Sequence, residues 1–103
     1  MNKEQFIEFT RGTTARCLSL LERKNSDYGE KSDPFKNFRF SSVVGVDPKR
    51  AILVRMTDKM SRVSNLLDKP PAVVEESLTD TLDDLINYSL ILGAFLAEEK
   101  ETK

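Results

Sequence analysis

An all-α fold is predicted, with three main helices at about residues 3–24, 48–68 and 72–99, assembled as a homo-oligomeric bundle. Three observations predict it. Apolar residues recur at three- and four-residue spacing along three long stretches, the period of a helix. Asp33-Pro34 and Asp47-Pro48 each join an N-cap to a residue pre-set for the first helical position, and Lys69-Pro70-Pro71 breaks the pattern between them and the last stretch. The one β-rich segment, residues 41–46 with Val43, Val44 and Val46, has no partner of similar length. A two-stranded sheet alone is marginal, so it reads as an extended connector. The 103 residues fit one domain, 1–103.

The first helix carries Phe6, Phe9, Thr13, Cys17, Leu20 and Leu21 on one stripe. Gly12 inside it costs about 1 kcal/mol relative to Ala, so a close helix crossing or a bend is expected there. Cys17 reads as a buried small hydrophobe. The following stretch, DYGEKSDPFKNFR at 27–39, is too rich in rings for a passive linker. Tyr28, Phe35 and Phe38, with Phe40 just beyond, alternate with Lys36, Asn37 and Arg39. Gly29 permits a turn, and one helical turn is expected at 34–38.

The second helix has apolar positions Ile52, Met56, Met60, Val63 and Leu67, widened by Leu53 and Leu66. Beside them Arg55, Asp58, Arg62 and Asn65 share a face at spacings of three, four and three, with Lys59 at the flank. The third helix is expected to bury Leu78, Leu82, Leu85, Ile86, Ser89, Leu92, Gly93 and Leu96. Its opposite face carries Glu76, Asp80, Asp83 and Asn87, with Asp84 nearer Tyr88. Residues 90–97 are apolar on all sides and must be covered all round. Two neighbours in so short a chain do not suffice, so a homo-oligomer, dimer or higher, is expected through this helix. The charged tail at 98–103 is expected to fray.

Sixteen basic and 17 acidic residues leave a net charge of −1, so no overall field draws the chain to a nucleic acid duplex or an anionic membrane. There is no His, which excludes His-based acid–base and triad chemistry, and a single Cys excludes an internal disulfide. The polar N-terminus is unlike a signal peptide, and the run at 90–97 is far shorter than the roughly 20 residues that span a bilayer. The expected setting is the cytoplasm. Stacked carboxylates on the third helix repel one another, and a cation relieves that repulsion. Mg²⁺, which takes oxygen ligands and keeps waters for phosphate to replace, is one such cation. The Arg and Lys side chains of the second helix and the loop are the other.

DYG at 27–29, DPFKNF at 33–38, RMTDKMSRVSNLL at 55–67 and ESLTDTLDDLINY at 76–88 resemble, in that order, a small phage and bacterial family named for its association with nucleotide modification. The last block also resembles the closing helix of MazG-like all-α nucleotide pyrophosphohydrolases. That resemblance implies Mg²⁺ on Asp80 and Asp84 (or Asp83), joined by Asp58 from the second helix. Where the hydrolases carry Glu-Glu-x-x-Glu, this chain has Arg55, Asp58, Lys59 and Arg62, a set suited to holding phosphate directly. The expected function is therefore nucleotide binding, with Mg²⁺-dependent hydrolysis of a nucleoside triphosphate as its enzymatic form. Lys36, Arg39, Arg55, Lys59 and Arg62 would meet phosphates. Tyr28, Phe35 or Phe38 would stack on the base, Tyr88 or Asn87 would read its edge or a ribose hydroxyl, and Asn37 would add the loop's amide to the ligand-binding set. Two alternatives stand beside it: a phage anti-defence protein that uses the same residues to sequester a cyclic nucleotide messenger without turnover, or a structural or inhibitory subunit that would bind a host protein through its apolar third helix.

Overall fold

The computed structural model of the chain describes residues 1–27, 35–69 and 71–101, with the side chains of 25–27 and 71–76 left aside. The fold is all-α, as expected. Helix α1 spans Lys3–Asp27, α2 spans Lys36–Arg39, a 3-10 helix follows at Phe40–Val44, α3 spans Pro48–Leu67 and α4 spans Pro71–Glu101. The expected ring Tyr28, the turn at Gly29 and the Asp33-Pro34 cap lie outside the described residues.

The start of α1 is fixed by a reciprocal cap. The Gln5 backbone N–H donates to Asn2 Oδ1, and the Asn2 N–H donates to Gln5 Oε1, both at 2.8 Å. The start of α3 is fixed by Asp47, whose Oδ1 accepts from the Lys49 N–H at 2.9 Å, with Pro48 in the first turn. That backbone donor is the main reason the Asp47 carboxyl is held below its ordinary range.

The segment after α2 corrects one expectation. Residues 41–46 do not form an extended connector; most of them close a 3-10 turn. Ser41 Oγ donates to the Phe38 carbonyl at 2.8 Å and lies 2.9 Å from the Val46 carbonyl, drawing the two ends together. Gly45, at φ 77°, supplies the left-handed residue that ends the turn, a conformation a β-branched residue resists.

The core lies between α2, α3 and α4. Ile52 is fully buried among Phe35, Phe38 and Phe95, with Met56, Tyr88, Ile91 and Leu92 packed around them. Phe35 meets Phe95 at 5.0 Å between centroids. Helix α4 is the shared element: α3 packs along it, and α1 packs on it and on no other described helix. Gly12 makes no close crossing, since open space surrounds the position where a Cβ would stand.

The buried face of α4 is a second correction. Leu82 and Leu96 are 45% and 47% exposed, while Thr81, Asp83, Asn87 and Phe95 are buried. Asp83 and Asn87 of the polar row face inward, and Asp83 has a neighbour to pair with, whereas Asp80 is exposed. Arg16 of α1 reaches Asp83 with two hydrogen bonds, Nε to Oδ2 at 2.7 Å and Nη2 to Oδ1 at 3.0 Å. A two-pronged guanidinium pair meets much of a carboxylate's need for donors once it leaves water. The tail is corrected too. Helix α4 runs to Glu101, and Glu98 and Glu99 are tied at 2.5 Å to Arg39 and Lys49 respectively.

Two outcomes test this packing. Ile52→Ala should lower unfolding free energy by about 2–5 kcal/mol in urea titration. Asp47→Ala should lower the melting temperature at pH 7. Because the folded carboxyl has a lowered pKa, its contribution is fully present above the unfolded value and lost as pH falls through the folded one. The gap between wild type and Asp47→Ala should therefore close in acid melts.

Candidate functional site

The polar row of α3 lines a cleft of about 750 Å³. Arg55, Asp58, Arg62 and Asn65 stand along it, with Lys59, Ser61 and Leu66 beside them and Tyr88 of α4 opposite. Arg55 and Arg62 are seven residues apart, which puts their Cα atoms about 10 Å apart along the axis. Asp58 lies between them.

Aromatic packing sets one wall. The Arg55 guanidinium lies over the Phe38 ring at 5.1 Å, and Tyr88 meets that ring edge-on at 6.3 Å. Phe38 is itself buried by the Ile52 core, so α2 holds Arg55 and Tyr88 in position from behind. Lys59 is restrained differently: its Nζ pairs with Asp84 at 2.9 Å, both side chains being partly buried. Arg62 is exposed and lines the same cleft.

Other expected site residues lie elsewhere. Phe35 is a core ring against Phe95 and not an open stacking surface. Arg39 lies over both rings, at 5.6 and 4.9 Å, and pairs with Glu98. Lys36 and Asn37 are exposed on α2, and neither lines the cleft. Tyr28 lies outside the described residues. Asn87 is buried, and its Oδ1 has no hydrogen-bond partner among the described residues.

The carboxylates separate. Asp58 is in the cleft, Asp84 is paired with Lys59, Asp83 is paired with Arg16, and Asp80 is exposed near that pair. Among the described residues no group of three or more His, Cys, Asp or Glu could hold a metal ion. This donor set does not fit Mg²⁺: two of its four carboxylates already answer a base, and the remaining two stand on different helices without a third.

Two cleft residues were missed in the sequence. Ser61 follows Asp58 by three positions and Leu66 follows Arg62 by four, so widening the row by one neighbour would have found both. Arg16 gave no such signal, since its partner lies 67 residues away. Asp83 holds its guanidinium even more firmly protonated, chiefly through their hydrogen bonds. Next to it Cys17 is 1% exposed. Burial, then the Asp83 charge, pushes its thiol above its ordinary pKa.

A small helical protein with a basic, tyrosine-edged cleft is the class that fold and site define. Residues 24–93 match the family model described as nucleotide modification associated domain 1, and the chain belongs to that family. No curated protein and no solved structure matches it. Among the described residues no helix is long and apolar enough to cross a membrane.

The buried thiol gives a direct check on the α1–α4 contact. Cys17 should react with a chromogenic disulfide at pH 8 far more slowly in the native protein than in denaturant. Equal rates would mean that α1 does not rest on α4.

Proposed function

We propose that the protein binds a phosphorylated nucleotide in the α3 cleft. The observation that carries this reading is the convergence of Arg55, Arg62 and Tyr88 on one concavity. Arg62 presents a planar fork of donors that fits phosphate oxygens in bidentate fashion. Arg55, held over Phe38, receives a second anionic group. The Tyr88 ring offers a face or edge to a base, and Asp58 and Asn65 accept from an exocyclic amine or a ribose hydroxyl. Membership of a family described by nucleotide modification supports the choice of ligand.

Binding without turnover is the form the cleft supports best. Its bases outnumber its one carboxylate, and that balance suits a phosphate held directly rather than through a metal. Sequestering a nucleotide, linear or cyclic, is a role such a site can fill. The MazG-like hydrolase reading requires a carboxylate cluster that the paired Asp83 and Asp84 do not supply.

Calorimetry with nucleoside triphosphates and with linear and cyclic dinucleotides tests the reading. At least one class should bind, and chelator should leave the affinity unchanged. Arg62→Ala should weaken binding roughly tenfold or more, the usual scale of a charge-assisted hydrogen bond, with no change in melting temperature. Release of pyrophosphate in the presence of Mg²⁺ would refute binding without turnover, and unaltered affinity in Arg62→Ala would remove the cleft from the site.

A further inference from the structure

The α3–α4 pair has a second side, opposite the cleft. On α3, Leu53, Met56, Met60, Val63 and Leu67 are spaced three, four, three and four. On α4, Leu78, Leu82, Leu85, Ser89, Leu92 and Leu96 are spaced four, three, four, three and four. Both are heptad seams, the pattern of helices that pack side by side along their length. Ile52, Phe38 and Phe95 fill the space between the two helices, yet half of each seam is left in water. Leu53, Met60 and Leu67 are 46%, 60% and 67% exposed, and Leu82 and Leu96 about as much as Leu53.

The two seams lie on the same side. The pairs Lys49–Glu99 and Lys59–Asp84 run α3 and α4 antiparallel. At 100° per residue, Leu53, Met60 and Leu67 stand roughly 60–100° ahead of buried Ile52, whereas Arg55 and Arg62 fall behind it. On α4, Leu82, Leu85 and Leu96 stand ahead of Tyr88 and Phe95, whereas Asp83 and Asn87 fall behind. In an antiparallel pair, rotations of the same sign point to the same side of the layer. The cleft and the α1 contact are thus on one side and both seams on the other.

Between Leu53 and Leu67 and between Leu78 and Leu96 the flanks carry no charge; Arg50 and Lys100, one heptad before Thr57 and one after Gly93, stand at the ends. Thr57 and Ser64 border the α3 seam; Thr79, Ile86 and Gly93 border that of α4. In a chain whose residues are 32% charged, an uncharged band across two helices is not a solvated surface. Along its length it has no charge to recognise a charged partner, and the like charges Arg50 and Lys100 stand only at the end away from the α3–α4 connection. Fifteen Å or more of matched seam on each of two helices gives a face of roughly 20 by 25 Å, on the order of 500 Å² before side-chain relief is counted. That approaches the roughly 800 Å² each partner contributes to a standard interface.

We infer that this face is covered by a second copy of the chain, the two α3–α4 layers closing about a two-fold axis into a four-helix bundle with the clefts facing outward. The inference is independent of the nucleotide reading, because the cleft is on the other side. Sedimentation equilibrium of the full chain, without ligand, should show two copies or a multiple of two at micromolar concentration. Met60→Glu with Leu82→Glu should lose that assembly, and Phe9→Glu on the exposed N-terminal half of α1 should keep it. A monomeric wild type, or an assembly lost in Phe9→Glu and kept in the double variant, overturns the inference. Peroxide footprinting of the wild type gives an answer even if the variants misfold. Met1 is 87% exposed and serves as the internal standard. Met60 should oxidise far more slowly than Met1, and comparable rates overturn the assignment.

Discussion

Burial of Ile52 against three phenylalanines is the contact on which the other contacts depend. It joins α2, α3 and α4 at one point, because Phe35 and Phe38 come from the short helical segment, Ile52 from α3 and Phe95 from α4. A side chain with no exposed surface at such a junction fixes rotation as well as distance. Once Ile52 faces α4, the heptad arithmetic of α3 leaves no choice for the remaining positions. Arg55 and Arg62 turn to one side and Met60 and Leu67 to the other. The cleft is in that sense a by-product of core packing: Phe38 is buried for hydrophobic reasons, and its outer face becomes the rest on which Arg55 lies.

The second constraint is electrostatic. Helix α1 has little apolar surface in contact with the rest of the chain; Phe6, Ile7, Phe9 and Leu18 are exposed. It is held on α4 by the forked Arg16–Asp83 pair and by Cys17 below it. A pair with one partner half in water and the other buried fixes geometry more than it adds stability. It also consumes a carboxylate that the sequence offers to a metal. The pairing of Asp84 with Lys59 has the same effect at the cleft. Charges that look like a ligand set along one helix are divided between two neighbouring helices once the chain folds.

The helices, their order and the α3 row were legible in the sequence, because each rests on local signals: period, cap and breaker. Asp47-Pro48 opens α3 where the N-cap chemistry says it must. The cleft row was legible for the same reason, since residues three and four apart share a face in any helix. The inward face of α4 was not. Its leucines outweigh its carboxylates on any hydropathy count, and only the position of Arg16 on a distant helix makes Asp83 an interior residue. The turn at 41–46 was misread because three valines favour strand locally, whereas Ser41 and the positive φ of Gly45 decide the matter through hydrogen bonds that periodicity does not record.

The far end of α4 has a mechanical role that its composition conceals. Glu98 and Glu99 reach back to Arg39 at the end of α2 and Lys49 at the start of α3, and both bases sit over Phe95. The hairpin is thereby latched at the end away from its connecting prolines. Phe95 packs on Phe35, and Phe35 neighbours the Phe38 that supports Arg55. A cut or a bulky fusion near residue 98 would therefore loosen the back wall of a cleft it never touches.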